Sequence, residues 1–449
     1  MAAPTLQPTA EQQDILDATT TGDPIAITAG AGTGKTSTLR MIADQSPSKR
    51  LLYIAYNKAI QQEADRSFPG NVTCKTAHAL AYRSFGAPMR DRLNGPRRTG
   101  AQNASALGVS RAFGVDPDHV FQPASLATMA MHTVARFCRS ADQTVTGRHF
   151  VPPEGLEPAA GQALATQIIP LALRAWADLT CGPAGRLKPT HDVYLKQWQL
   201  SHPTLDFDVV LYDEAQDADP CIADVVEHQT HAQLIAVGDS AQAIYGWRGA
   251  GDFLARLDAR HRLRLTQSWR FGQAVADEAN VWLDMIEADL RVAGNPARQS
   301  CLAPLAQPDA VLCRTNAGTI DALLAAHDDQ TKAHLIGDGK EMLALARAAE
   351  RMQQGQPAAH PELVAFRDWA ARGGADRGGG QQAGGQGAGR GRSQCGRAGR
   401  GGRGGVALGG PGGGRGRAGT PAAGVRPAGV RPAGVRPVGV RAAGGEVPA

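Results

Sequence analysis

Short apolar runs alternate with amphipathic stretches over residues 1 to 86. PIAIT (24–28), LLYIAY (51–56) and NVTCKT (71–76) have the length and the β-branched or aromatic content of strands. Between them lie a glycine loop with a helix through Leu39, and the helical spacing of NKAIQQEADRSF; AHALAYRSF follows the third run. Strands separated by helices predict a parallel sheet covered on its faces. From residue 87 to about 200 the rhythm is lost. Pro, Gly and Arg there punctuate helical stretches such as SLATMAMHTVARFCRS (125–140), so this part reads as an inserted, mostly helical subdomain. Strands return at FDVVLYDE (207–214), QLIAVGD (233–239) and HRLRLTQ (261–267). AVLCRT (310–315) and AHLIGD (333–338) read as strands of a second α/β unit, with the helical segment KEMLALARAAERMQQ (340–354) behind them.

Beyond Trp369 the chain becomes Gly, Arg, Ala, Pro and Val, ending in a GVRPA repeat from Gly424 to Arg441. Such a tail has too few large apolar residues to offset the entropy of ordering and is predicted to be disordered. Two origins fit it. It is an Arg/Gly extension that binds phosphate backbones without order, or an out-of-frame reading of GC-rich DNA, which the absence of Lys, the repeat and the abrupt onset favour.

Charge changes the picture only once it is divided. The whole chain is +5, but residues 373 to 449 hold twelve Arg against two acids, so the first 372 residues carry 35 basic and 40 acidic side chains. The basic balance belongs to the tail and gives no support for nucleic-acid binding by the folded part. No apolar run approaches the ~18 residues of a membrane span, and the N-terminus lacks the pattern of a secretory signal. Seven cysteines without a CxxC pair argue against a disulfide framework or a zinc site, and make a cytoplasmic setting the expectation.

AGAGTGKT (29–36) joins a predicted strand to a predicted helix. Small residues there let backbone N–H groups wrap phosphate oxygens, and the helix N-terminus favours negative charge. In the loop Ala29, Gly30, Ala31, Gly32, Thr33, Gly34, Lys35 and Thr36, Lys35 is expected to reach the β and γ phosphates of ATP and Thr36 to hold Mg²⁺. Ala29 stands where the usual pattern has Gly. VVLYDEAQD (209–217) buries four apolar residues and delivers carboxylates at a strand end, where ligands bind in such sheets. Asp213 is expected on Mg²⁺ and Glu214 on the attacking water. A surface acidic turn is the plain alternative for DEAQD alone. The combination with the loop predicts an α/β P-loop NTPase fold.

GDSAQAIYGWRGA (238–250) and SWRFG (268–272) resemble the third and fourth motifs of UvrD/Rep-type superfamily 1A DNA helicases, in the right order after DEAQD. PTAEQQDIL (8–16) resembles the adenine-recognising Q motif, with Gln12 as its specificity residue. YNKA (56–59) and TAH (76–78) resemble motifs Ia and Ib, and VLCRTN (311–316) a stretch of the second motor domain. Several wordings come nearest the F-box DNA helicase branch, although no F-box precedes them here. The resemblance covers roughly residues 5 to 350 and implies two RecA-like units: motor domain 1A over 1–86 and 201–264 with inserted subdomain 1B over 87–200, and a partial domain 2A over 265–370, before the tail at 371–449. It implies single-stranded or partly duplex DNA as partner, 3′-to-5′ polarity, and a place in DNA repair or recombination.

By the same resemblance Gln242 senses the γ-phosphate, Trp269 stacks on adenine and Arg270 is an arginine finger. Tyr245, Trp247 and Arg248 offer stacking faces and a cation to bases and phosphate, each stacked base being worth ~1–3 kcal/mol. Asn57, Lys58, Thr76 and His78 touch DNA. Two later family motifs, one T-x-H-x-x-K-G-x-E-[FW] and one with a second arginine finger near V-A-x-T-R, are not found after residue 317. That leaves a second expectation, an ATP- and DNA-binding module that cannot unwind. A small-molecule kinase with the same loop is disfavoured by the aromatic cluster at 245 to 248.

Overall fold

A computed structural model describes residues 7–117, 119–243, 251–304, 308–336 and 339–356, with isolated positions at 363 and 438–439. Its centre is a six-stranded, fully parallel sheet: β1 (Ile25–Ala29), β2 (Leu51–Ala55), β3 (Val72–Thr76), β4 (Val209–Tyr212), β5 (Gln233–Gly238) and β6 (His261–Leu265), in the spatial order β3-β2-β4-β5-β1-β6. Five lie within the apolar runs of the sequence, and β1 overruns its run by one residue, Ala29. The four inner strands are buried almost throughout, whereas β3 and β6 alternate buried and exposed positions as edges do.

The two-residue period of a strand divides these apolar residues between two cores. Ala26, Leu52, Ile54, Val210, Tyr212, Leu234 and Ala236 face one side, and Ile25, Ile27, Leu51, Tyr53, Val209, Leu211, Ile235 and Val237 the other. The second side is covered by helices Ala10–Thr19, Lys35–Gln45 and Lys58–Ser67, through Ile15, Leu39, Ile42 and Ala64. The first side receives the insertion, whose helices Gly100–Leu107, Pro123–Arg139, Pro158–Thr180 and His191–Leu200 bring Leu107, Phe137, Leu164 and Trp198 into one continuous core with the sheet. The helix Ala10–Thr19 begins with a capping box, Thr9 and Gln12 each bonding the other's backbone N–H. None of the described helices is long and apolar enough to cross a membrane.

The segment after β6 departs from the expected pattern. Helices form at Gln273–Met285, Asn316–Asp328 and Gly339–Gln353. The strands expected at 310–315 and 333–338 do not form: 310–315 and the described part of the second, 333–336, carry no strand, with Leu312 98% and Ile336 92% exposed. A lone strand gains nothing until other strands or a helix share its ladder and cover its face, and among the described residues neither segment has a sheet to join. The expected disorder of the 371–449 tail falls outside the described residues, the pair 438–439 apart.

Candidate nucleotide site

The loop 30–34 leaves β1 at the carboxyl edge of the sheet and enters the helix Lys35–Gln45, the crevice position expected of a ligand site in such folds. Gly32 and Gly34 both lie in the left-handed region, at φ +72° and +88°, which only glycine adopts without cost. Thr33 is buried and closes the turn, its hydroxyl donating to the Gly30 carbonyl at 2.8 Å. The backbone N–H groups of Ala31, Gly32, Gly34, Lys35 and Thr36 have no protein acceptor among the described residues. Free amides converging at a helix N-terminus form a cradle for phosphate oxygens. Two carbonyls of the same loop are taken by the segment after β6: the Ser268 hydroxyl donates to Ala31 O (2.9 Å) and the Trp269 N–H to Gly32 O (2.9 Å).

Lys35, the cation of the loop, donates to Glu214 Oε2 at 3.0 Å. Glu214 stands just past β4 with φ +52°, a left-handed conformation uncommon for a residue with a side chain. Its carboxylate also accepts from Gln216 Nε2 (2.9 Å), and Gln216 Oε1 accepts from the Asp239 N–H (3.0 Å). Gln216 thus ties the end of β4 to the end of β5. Asp213 is only 6% exposed, and burial raises its carboxyl above the usual range; the Tyr53 hydroxyl, donating at 2.6 Å, opposes that shift. Burial, with Asp213 beside it, pushes the Tyr53 phenol far up in turn, so it stays a neutral donor. Thr36 is exposed at the loop end. A hydroxyl and a carboxylate of this kind are hard oxygen donors that suit Mg²⁺ held together with phosphates.

The sequence-predicted base contacts also converge on the loop. Gln12 is buried, accepting from Thr9 N through Oε1 and donating to Thr38 Oγ1 (3.0 Å). A Cβ placed on Gly34 would lie 3.6 Å from Gln12 Nε2 and 3.7 Å from the Trp269 ring, so amide and indole share one small area beside the cradle. Trp269 is 47% exposed. Arg270 is exposed, forms no ion pair among the described residues, and brings its Cβ to within 2.6 Å of where a Gly32 Cβ would stand. Gln242 lies in the short turn after β5, its amide donating to Asp239 Oδ2 at 2.5 Å.

The expected DNA contacts divide. Asn57 and Thr76 are helix N-caps, accepting from Ile60 N (2.9 Å) and Ala79 N (3.1 Å). That accounts locally for both residue types, while Lys58 is exposed in the first turn that Asn57 caps. His78 lies 3.5 Å from Asp192, which also binds Arg139 (3.2 Å). Burial works against ionisation of Asp192, yet these two partners hold its carboxyl below the usual range. A cavity of about 230 Å³ is lined by residues of both sites, Tyr56, His78, Arg139 and Asp192 together with Asp213 and Glu214. Tyr245, Trp247 and Arg248 lie outside the described residues. Sequence reasoning missed Tyr53, Gln216, Ser268 and Glu11; Gln216 lies inside DEAQD, Ser268 opens SWRFG and Glu11 lies inside the Q-like stretch, so only Tyr53 fell outside every motif.

The family model of an AAA domain matches residues 12–248, more than half of the chain. F-box DNA helicase protein 1 of Schizosaccharomyces pombe is 28% identical over 389 residues, covering 80% of this chain and 44% of that protein. F-box DNA helicase 1 of Gallus gallus is 32% identical over 364 residues, covering 78% and 35%. RecBCD enzyme subunit RecB of Mycobacterium tuberculosis is 33% identical over 123 residues, covering 25% and 10%. The chain spans less than half the length of these curated relatives. It belongs to the AAA-domain family.

Proposed function

We propose that this chain is an ATP-dependent DNA translocase of UvrD type, whose ATP hydrolysis is stimulated by single-stranded DNA. The observation that carries the reading is the pairing of Lys35 with Glu214 at 3.0 Å beneath an open cradle of backbone amides. A cation set for phosphate and a carboxylate set for water already neighbour one another there. When nucleotide enters, its phosphates compete for Lys35, which frees Glu214 to orient water and take its proton. Bound Mg²⁺ would supply charge neutralisation on the phosphates, with Thr36 and Asp213 as the side chains that hold it. Gln12 and Trp269 bind the base, and Gln242 reads the γ-phosphate. Arg270 stabilises charge on the transferring group, a role that can supply ~10³-fold or more in rate.

In this reading DNA lies over Lys58 and His78 and the stacking residues Tyr245, Trp247 and Arg248, with Asn57 and Thr76 shaping the helix starts beneath it. The cavity lined by His78 and Glu214 gives the two sites a common wall, so a shift at one can be felt at the other. Movement is 3′ to 5′, and the setting is DNA repair or recombination in the cytoplasm. A second reading has its own support. The exposed, unpaired stretches at 310–315 and 333–336 favour a chain that binds ATP and single-stranded DNA without unwinding duplex. ATPase assays with and without single-stranded DNA, paired with a strand-displacement assay, test both. DNA-stimulated hydrolysis with displacement supports the motor, and stimulation without displacement supports the second reading. Turnover indifferent to DNA contradicts both.

A further inference from the structure

The residues proposed to hold the base and the γ-phosphate, Trp269 and Arg270, follow the edge strand β6, and contacts from outside their own segment fix them. Glu11, in the first turn of the helix Ala10–Thr19, takes the Thr266 N–H (2.8 Å) on one carboxylate oxygen and the Thr266 hydroxyl (2.6 Å) on the other. Two residues on, Ser268 is completely buried. Its hydroxyl donates to Ala31 O in the phosphate loop (2.9 Å) and accepts the Arg270 N–H (3.3 Å). Main-chain bonds complete the attachment, from Gly30 N to Leu265 O (3.1 Å) and from Trp269 N to Gly32 O (2.9 Å). The stretch 265–270 is therefore tied to the phosphate loop through Leu265, Ser268 and Trp269 and to the helix Ala10–Thr19 through Glu11, while Gln267 donates to Gly294 O (2.8 Å) and Asn295 to Trp269 O (3.3 Å) in the later segment.

We propose that Glu11 and Ser268 are positioning residues for nucleotide: they hold the Trp269 indole and the Arg270 backbone against the phosphate loop before any ligand arrives. The proposal rests on the ATP-site reading above and adds two residues that touch neither base nor phosphate. Physically they act in two ways. Fixing the stretch in advance removes part of the ordering cost of binding. Taking the Ala31 carbonyl also holds that peptide's plane, so that the loop's amides face the cradle. Glu11 acts at the start of the stretch and Ser268 at its middle, where it also meets Arg270. Loss of either therefore loosens base stacking, and loss of Ser268 loosens the finger as well.

The test uses the full chain and an N-methylanthraniloyl derivative of ATP, whose fluorophore accepts excitation energy from a nearby tryptophan. Energy transfer removed by Trp269→Phe reports how close the indole sits to bound nucleotide. Glu11→Ala and Ser268→Ala are expected to weaken binding about tenfold, the scale of one lost hydrogen bond of this strength, and to lower the transfer remaining at saturation. Thr266→Ser keeps the N–H and the hydroxyl that Glu11 grips and is expected to bind as the wild type does. In ATPase assays Ser268→Ala lowers kcat and raises KM, whereas Glu11→Ala raises KM alone; a merely structural loss would not divide the two constants in this way. Glu11 is only partly buried, so its variant is informative even where Ser268→Ala folds poorly. Wild-type affinity and wild-type saturating transfer in a folded Glu11→Ala protein overturn the proposal and leave the ATP site standing. Failure of the wild-type chain to bind the nucleotide overturns the ATP-site reading and this proposal together.

Discussion

Gly32→Ala perturbs the nucleotide site at its tightest point. The added Cβ would stand 2.6 Å from Arg270 Cβ and 3.0 Å from Ser268 Oγ, on a residue whose φ is +72°. Two costs combine. Holding alanine in the left-handed region costs about 1–2 kcal/mol, and forcing a methyl into a filled space costs about 1–3 kcal/mol. The total is about 2–5 kcal/mol, part of which relaxes by pushing 268–270 off the loop. Gly22→Ala is the matching control, since Gly22 has φ +81° and nothing within 4 Å of its Cβ position. It should carry the backbone cost alone, about 1–2 kcal/mol. Urea unfolding of both variants, with nucleotide affinity measured alongside, separates the terms. Gly32→Ala is expected to be at least about 1 kcal/mol less stable than Gly22→Ala, and to lose at least about tenfold in ATP affinity while Gly22→Ala keeps it. Equal costs and unchanged affinity would refute the close packing of Arg270 and Ser268 on the loop.

Three other perturbations follow from the same geometry. Glu214→Gln should cost about 10²–10⁴-fold in turnover, yet bind ATP at least as tightly as the wild type, because Lys35 no longer has a carboxylate to leave; weaker binding in a titration would contradict the Lys35–Glu214 exchange. Tyr53→Phe removes the donor to buried Asp213, which should cost about 1–3 kcal/mol of stability and raise the Asp213 carboxyl further, moving the acid limb of the ATPase profile to higher pH; an unmoved limb counts against Asp213 as the ionised ligand. Burial lifts the Asp219 carboxyl from 3.8 to about 6. The folded state therefore keeps a proton that the unfolded chain releases, and stability falls as pH rises across that interval. Asp219→Asn keeps the cap on Cys221 N without that loss, so its stability relative to wild type should improve by on the order of 1–3 kcal/mol between pH 4 and pH 7. A pH-independent difference in unfolding free energy would count against a buried, raised Asp219.

The sequence made the sheet legible because parallel strands covered on both faces are continuous apolar runs, and β1, β2, β4 and β5 are of that kind. The loop at 29–36 was legible because its chemistry is local: strand, glycines, Lys35 and helix are contiguous. What lay hidden depends on contacts across the chain. Ser268 reads as any serine until Ala31 is seen beside it, and Tyr53 as any strand aromatic until Asp213 meets its hydroxyl. The helix Ala10–Thr19 carries its own start signal in the capping box of Thr9 and Gln12, and the same Gln12 side chain serves both as cap and as candidate base reader. The opposite failure occurred at 310–315 and at 333–336, the described part of the second expected strand. Both have the composition of strands, but composition states a preference, and a strand needs partners to realise it. Asn57 and Thr76 show a third case, in which a motif match and a helix cap draw on the same residue types.

ATP hydrolysis by the full 449-residue chain, measured with and without single-stranded DNA and again in Lys35→Ala, tests the central claim most directly. The account predicts a rate that rises on adding DNA and is lost in the variant. Hydrolysis that ignores DNA, or that survives Lys35→Ala, would contradict it.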